Sequence, residues 1–142
     1  MKLQIVDLEF LNSSAHKTLL GPLGIKITKL TEDSIEGTMP VDARTHQPYG
    51  LLHGGASVAL AETLGSIGAN LCVNQKEFYC VGLDINANHV SGVRSGTVTG
   101  VARPLHVGRS TQVWEIRITS DENKLVCISR LTMAVVAIRK DP

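Results

Sequence analysis

The sequence predicts an α+β domain in which an antiparallel sheet curls around one long buried helix. The helix is predicted within His46–Val73, which begins with turn residues and carries one formal charge, Glu62, between positions 51 and 75. A helix that is apolar or small nearly all round is a buried one. Four long strand-like segments follow Asn74, and their short connections favour antiparallel pairing.

The composition fits one globular domain spanning residues 1–142. The chain is 43% apolar and 19% charged, which is enough apolar sequence for a proper core. Its net charge is +1 without a basic run, and its aromatic residues are few, so the pattern argues against nucleic acid as a partner. The apolar run at 51–73 contains His53, Glu62 and Asn70, which favours a buried soluble helix over a membrane span.

Cysteine usage and the N-terminus predict a cytoplasmic protein. The three cysteines show no CxxC spacing and are odd in number, which favours reduced thiols. The first ten residues carry acids and no small-residue cleavage site, so they are not expected to form a signal peptide.

Before the central helix we expect one short helix and one hairpin. Val6–Ala15 reads as an amphipathic helix and is followed by a turn at Gly21-Pro22. Gly24–Leu30 alternates apolar and polar residues, as a half-buried strand does, and Ser34–Val41 completes a β-hairpin with it. The loop Asp42–Gly50 then leads into the central helix.

After the central helix we expect four strands in an antiparallel meander. The predicted strands are Phe78–Val90, Thr97–Val107, Ser110–Ser120 and Leu125–Ile138. In the first of them, the residues expected to share one face are Val81, Leu83, Ile85 and Ala87. Pro104 predicts a bulge or a strand end in the second. Because one helix covers one face only, the bare face and the apolar helix favour oligomerisation.

Glu62 is the first candidate functional residue. Its helical neighbours at three and four residues are Val58, Ala59, Gly65 and Ser66, none of which is basic. An unpaired carboxylate on a buried helix costs free energy, and such acids concentrate at functional sites. The plain alternative is a solvated helix glutamate.

The start of the helix is the second candidate. Gly54-Gly55 would offer free N–H groups and the positive end of the helix dipole to an oxyanion or a carbonyl oxygen. Glu62 lies about two turns, or roughly 10 Å, beyond Gly55, so one helix cannot easily bring both groups to one carbon atom. Two copies side by side can, and we therefore expect a site shared between subunits.

Each neighbouring residue also has a plain interpretation. His53 could cap or brace the helix, and the glycine pair could form only a tight turn. Gln47 could be an ordinary loop residue, and Ser66 a small packing residue. His89 and His106 read as strand-end or loop residues without metal-ligand spacing, so no metal site is expected.

The residues between Thr45 and Ser66, THQPYGLLHGGASVALAETLGS, resemble the signature of hotdog-fold acyl-CoA thioesterases. The branch they resemble contains 1,4-dihydroxy-2-naphthoyl-CoA thioesterase of menaquinone biosynthesis and the enterobactin-pathway proofreading thioesterase. The likeness continues in Val81–Val90, Pro104–Arg109 and Ser129–Val136. The hotdog architecture, a long helix wrapped by an antiparallel sheet, agrees with the prediction made from the residues.

The resemblance implies roles for five residues. Glu62 would be the catalytic carboxylate, either attacking the thioester or activating water. The Gly55 N–H would form the oxyanion site, and Gln47 and His53 would help to orient the thioester carbonyl. Ser66 would bind the nucleophilic water or steady the intermediate.

The resemblance also implies a coenzyme A path and an oligomer. The residues expected to line the path are Gly82, His89, Val90, Ser91, His106, Val107, Gly108, Arg109, Ser110 and Thr111. Arg109 would meet the nucleotide phosphates. In this family the sites lie at a dimer interface, dimers pair into tetramers, and no metal or redox cofactor is needed. The chain departs from the family pattern in the N-terminal helix and around Asn70–Tyr79, which help to shape the acyl pocket.

The predicted reaction is hydrolysis of an acyl or aromatic acyl thioester to a free acid and coenzyme A. The donor could be acyl-CoA or an acyl carrier protein. One alternative is a hydratase or dehydratase of the same fold, which would use a histidine–acid pair. Another is a non-catalytic acyl-CoA binding module, which would need no unpaired buried acid.

Overall fold

The computed structural model describes residues 2–139 as a six-stranded antiparallel sheet packed on one long helix. The helices are α1 (Leu8–Ala15), α2 (Leu20–Leu23) and α3 (Gly54–Leu71). The strands are β1 (Lys26–Leu30), β2 (Ile35–Pro40), β3 (Phe78–His89), β4 (Thr97–Val107), β5 (Thr111–Thr119) and β6 (Leu125–Ala137). The α+β hotdog architecture predicted from the sequence is confirmed.

Helix α3 forms the centre of the core. Its buried residues are Ala56, Ser57, Leu60, Ala61, Leu64, Gly65, Gly68, Ala69 and Leu71. The sheet closes over them with the fully buried side chains of Trp114, Ile116 and Ile118 on β5. A Cβ built on Gly68 would lie 2.7 Å from the Trp114 ring, so this glycine lets the helix approach the sheet closely.

The strand order β1-β2-β4-β5-β6-β3 corrects the predicted four-strand meander. Strands β4, β5 and β6 do form a meander, but β3 pairs with β6 and not with β4. The connection from β3 therefore passes the start of α3 to reach β4, which lies between β2 and β5. Backbone hydrogen bonds from Leu52 N–H to Val93 O (2.7 Å) and from Val41 N–H to Gly96 O (2.9 Å) hold this crossing.

Two bulges change how the strands present their side chains. The register of β3 shifts between Gly82 and Asp84, so the expectation that four alternating residues share one face is wrong. Val81 and Leu83 are 43% and 62% exposed, whereas Ile85 and Ala87 pack against the core. In β4 the strand continues through Pro104 with a register shift beside it, which confirms the predicted bulge.

The N-terminal segment departs from prediction in one respect. The Gly21-Pro22 turn lies inside the short helix α2, which ends at Gly24 in the left-handed conformation (φ 68°). Helix α1 begins after Asp7, whose side chain accepts a hydrogen bond from Glu9 N–H and caps the helix. No helix within residues 2–139 is both long and apolar enough to cross a membrane.

Candidate active site

Glu62 is half-buried on α3 and lines a groove of about 550 Å³ together with Ser66. The opposite wall is formed by α1 and the segment that follows it. The other lining residues are Leu11, Ser14, Ala15, Thr18, Leu19, Leu20, Ala59, Thr63 and Ile67. None of the three salt bridges among the described residues involves Glu62, so its carboxylate is unpaired, as the sequence predicts.

The groove is effectively apolar except beside Glu62. The hydroxyl of Thr63 donates to Ala59 O at 2.7 Å, and that of Ser14 donates to Leu11 O at 3.1 Å. The Ser66 hydroxyl has only a weak acceptor, the sulfur of Met133 at 3.8 Å. Ser66 can therefore donate to a ligand or a water held next to the carboxylate.

Gly82 on β3 lies directly against Glu62. A Cβ built on Gly82 would be 2.5 Å from Oε1 of Glu62 and 3.7 Å from its carboxyl carbon. A contact of 2.5 Å is too short for a carbon and an oxygen that are not bonded, so only glycine fits at this position while the carboxylate keeps its place.

His53 and Gly55 lie in an adjoining groove of about 310 Å³, which shares Leu19 and Ala59 with the Glu62 groove. His53 is the N-cap of α3, and its Nδ1 accepts a hydrogen bond from Gly55 N–H at 2.8 Å. The capping role left open by the sequence is therefore present. Because Nδ1 accepts, the proton of the neutral imidazole is on Nε2.

Gln47 lines a third groove, of about 340 Å³, on the other side of the helix start. Its side-chain oxygen accepts a hydrogen bond from Tyr49 N–H within its own turn. His89 contacts the helix start closely enough that a Cβ on Gly54 would lie 2.9 Å from its Nε2. Val90 and Ser91 line the same groove, so this part of the expected coenzyme path adjoins α3.

The second part of the expected coenzyme path, residues 106–111, lies at the opposite end of the sheet. Strand pairing aligns His89 with Cys127 and Thr111 with Ala134 on β6. The two positions are seven residue steps apart along β6, or roughly 23 Å. Within one chain the two segments therefore do not meet, and Arg109 is exposed far from His89.

The loop before α3 is held by an exposed ion pair. The Arg44 guanidinium hydrogen-bonds the Asp42 carboxylate and lowers the pKa of that carboxyl to about 2. Thr45 N–H and His46 N–H both donate to Asp42 O at 2.9 Å. This turn sets the path of the chain toward His53, whose N–H donates to Thr45 O at 2.8 Å.

Comparison with known proteins decides the family. Residues 49–127, more than half of the chain, match the model of the thioesterase superfamily. The chain belongs to this family. It is 50% identical over 131 residues to the 1,4-dihydroxy-2-naphthoyl-CoA hydrolase of Escherichia coli, covering 92% of this chain and 96% of that protein. It is 51% identical over 131 residues to the proofreading thioesterase EntH of Cronobacter turicensis, covering 92% and 95%.

Solved structures agree with the sequence relatives. The crystal structure of a thioesterase from Haemophilus influenzae superposes with a TM-score of 0.94 at 51% identity, covering 98% of this chain and 96% of that one. A thioesterase from Pseudomonas aeruginosa, crystallised as a Gln-to-Ala variant, gives 0.93 at 55% identity, covering 95% and 97%. This chain is therefore a hotdog-fold thioester hydrolase.

Sequence reasoning missed one polar residue of this thioesterase, Asn70 on α3. Its side-chain amide accepts from Cys80 N–H at 2.8 Å and donates to Cys80 O at 3.2 Å. It also donates to Ser66 O, one turn back along the helix, at 2.9 Å. The available signal was its spacing, because Glu62, Ser66 and Asn70 repeat every four residues on an otherwise apolar helix.

Proposed function

We propose that this thioesterase hydrolyses acyl-CoA thioesters with Glu62 as the nucleophile or the general base. The observation that carries the proposal is the unpaired, half-buried carboxylate of Glu62, which lies in an apolar groove beside the hydroxyl of Ser66. An apolar groove accepts a hydrocarbon acyl group, and the carboxylate is the reactive group at its wall.

The reaction breaks the C–S bond of the thioester and forms a C–O bond. As a nucleophile, Glu62 would form an anhydride with the acyl carbon and release the coenzyme A thiolate, and water would then hydrolyse the anhydride. As a general base, Glu62 would take a proton from a water molecule that attacks the acyl carbon directly. Both routes give the free acid and the coenzyme A thiol, and Ser66 would hold the water in either.

The thioester carbonyl would be oriented at the start of α3. Gly55 N–H and the helix dipole would stabilise the oxyanion, with His53 and Gln47 beside it. Gly55 N–H donates a hydrogen bond to His53 Nδ1, so the thioester carbonyl oxygen must share or displace that bond. The Nε2–H of His53 is the remaining donor of that ring.

A second copy of the chain would complete the site. Among residues 2–139, strand β3 pairs with β6 alone and exposes Val81 and Leu83, so its free edge is available to pair with another β3. Residues 106–111 lie roughly 23 Å from His89 in one chain, so a coenzyme path built from both segments calls for two chains or an extended course along the sheet. We propose a dimer with shared sites that pairs further into a tetramer.

The acyl group we would test first is aromatic. Relatives at about 50% identity are named for 1,4-dihydroxy-2-naphthoyl-CoA hydrolysis and for proofreading, so naphthoate production in menaquinone biosynthesis and broader thioester clean-up are both to be compared. Hydroxybenzoyl-CoA and an acyl carrier protein donor belong in the same comparison. The proposed chemistry uses no metal or redox cofactor.

A thiol-release assay tests the reaction. The panel comprises benzoyl, hydroxybenzoyl, dihydroxynaphthoyl, and short and long alkanoyl thioesters of coenzyme A. We expect Glu62→Gln to lower kcat by about 1,000-fold or more while the protein stays folded, and Glu122→Gln in an exposed turn to leave it unchanged. Near-normal turnover by Glu62→Gln would refute the assigned role, and no release from any substrate would refute the activity.

Mixing two inactive variants tests whether the site is shared. Glu62→Gln and His53→Ala would each be inactive alone, and each would supply what the other lacks. If the two residues act from different chains, mixed dimers regain one intact site, or roughly a quarter of all sites after random exchange. Absence of any recovery after verified exchange would place both groups in one chain.

A further inference from the structure

We propose that Gly82 and Asn70 are positioning residues that together fix the Glu62 carboxylate against strand β3. The inference rests on the proposed function, because it assigns these residues to the control of the reacting group. Neither residue needs to touch the reacting atoms. Each acts through the separation between α3 and β3.

Gly82 sets how closely the carboxylate can approach the strand. The Cβ position of Gly82 lies 2.5 Å from Glu62 Oε1, so any side chain there would displace the carboxylate or the strand. Glu62 makes no ion pair among residues 2–139 that could hold it elsewhere. The glycine face of β3 is therefore the surface against which the carboxylate rests.

The regular alternation of β3 before its bulge puts Gly82 at this position. Cys80 is buried toward the helix, and Gly82, two residues later, faces the same way. The register then shifts, so the next core-facing residues are Ile85 and Ala87 rather than Asp84. After the bulge, apolar side chains again face the core, while Gly82 leaves the space beside the Glu62 carboxylate free of a side chain.

Asn70 fixes the distance between the two elements. Its amide bonds both the N–H and the C=O of Cys80, two residues before Gly82. It lies eight residues after Glu62 on the same stripe of α3, and its bond to Ser66 O holds the amide in place. We call these two hydrogen bonds between Asn70 and Cys80 the Asn70 clamp. Because Cys80 is two residues from Gly82, the clamp also fixes the distance between Gly82 and Glu62.

The first test is Gly82→Ala. We expect kcat to fall about 100-fold with KM changed less than about threefold, because a shift of about 1 Å in a reacting group costs that much. The control is Gly100→Ala, whose Cβ would meet Leu64 at 2.7 Å in the core away from Glu62, and which should cost stability without that loss of kcat.

Shortening the acid separates positioning from general damage. Glu62→Asp retracts the carboxylate by one methylene group, so Gly82→Ala should cost less than about threefold in that background. An equal loss of kcat in both backgrounds would overturn the assignment of Gly82.

The second test is Asn70→Ala. We expect kcat to fall about tenfold with a smaller change in KM, because β3 loses its clamp beside the carboxylate. The matched control is Gln75→Ala, which removes another side-chain amide at the same helix end, one that donates to Asn70 O and not to β3. Equal kinetics for the two variants would overturn the assignment of Asn70.

A crystal structure of Gly82→Ala gives a readout independent of activity. The carboxylate of Glu62 should move by about 1 Å or more relative to α3, since the added methyl group fills its position. An unmoved carboxylate would refute the inference even if Glu62 is essential. A displaced carboxylate with unchanged turnover would leave the geometry standing and refute the proposed catalytic role.

Discussion

The two edges of the sheet are held by the same device and used differently. At β1, Asn12 of α1 donates to Ile27 O at 2.9 Å and accepts from Ile27 N–H at 2.8 Å. At β3, Asn70 of α3 bonds Cys80 in the same way. Each asparagine also donates to the carbonyl four residues back in its own helix. A polar side chain thus satisfies two edge groups that water would otherwise have to meet.

The difference lies in what surrounds each clamp. Strand β1 has five residues, a register shift and two exposed lysines, Lys26 and Lys29, which blunt an edge against further pairing. The three salt bridges among the described residues all lie on its side of the sheet. Strand β3 has twelve residues and exposes the β3 patch, formed by Tyr79, Val81 and Leu83. One edge is completed by its own chain, and the other is left open.

The largest effect is expected from charged substitutions on the open edge strand, β3. Replacing Val81 and Leu83 by lysine places two charges on the β3 patch, so the protein should become monomeric and lose thioesterase activity by about 100-fold or more. Gel filtration with light scattering and the thiol-release assay measure both results. The control, Thr28→Lys on β1, should change neither. A variant that stays oligomeric and active would show that the β3 patch is not the interface.

The next effect compares the clamps. Asn12→Ala should lower the free energy of unfolding by about 1–3 kcal/mol, because it leaves part-buried backbone groups unpaired. Its effect on activity should fall on KM, since α1 carries Leu11 and Ser14 of the groove that we propose to hold the acyl group. Denaturant titration and steady-state kinetics test this. A loss confined to kcat, as expected for Asn70→Ala, would remove the distinction between the two edges.

A smaller effect concerns the ion pair that follows β2. The pKa of Asp42 is lowered from 3.8 to about 2 chiefly by its hydrogen bonds with Arg44, so the folded state favours the ionised form. This contribution is fully present above pH 3.8 and is lost as the pH falls toward 2. The stability difference between wild type and Asp42→Asn should therefore shrink across that interval. Urea titrations at several pH values measure it, and a constant difference would contradict it.

The smallest effect concerns the thiols near the β3 side. Cys72, Cys80 and Cys127 are free and buried, and burial raises the pKa of each thiol. Native protein should therefore react slowly with a thiol reagent, whereas each denatured chain should react with three equivalents of it. Any reaction of the protein's own thiols would add to the signal of the thiol-release assay. Rapid reaction of native protein would show that the β3 side opens more readily than its packing indicates.

The sequence predicted where the helices and strands lie better than it predicted which strands pair. Patterns of apolar residues located α3 and the six strands, and the unpaired Glu62 was recognisable because a single charge interrupts an apolar helix. The position of β3 beside β6 could not be predicted, because the pairing depends on how the chain passes the start of α3 through Val93 and Gly96. Short-range periodicity contains no information about such a crossing.

The candidate site divides in the same way. The residue pattern of one helix singles out Glu62 and Gly55, the family resemblance adds Ser66 and His53, and the structure puts all four in adjoining grooves. The contact of Gly82 with Glu62 could not be predicted in this way. Alternation counted back from the core-facing Ile85 and Ala87 would put Gly82 on the outer face, and the bulge between them reverses that. A register shift of one residue turns every later side chain to the other face, and no residue type announces it.

The bond from Gly55 N–H to His53 Nδ1 has a consequence for selectivity. A donor that already has a neutral acceptor gives a thioester carbonyl little advantage, because one modest hydrogen bond replaces another. An oxyanion is a far stronger acceptor and can displace the imidazole. Under the proposed mechanism, the occupied donor would hold substrate loosely and respond mainly to charge that appears as the bond to sulfur breaks.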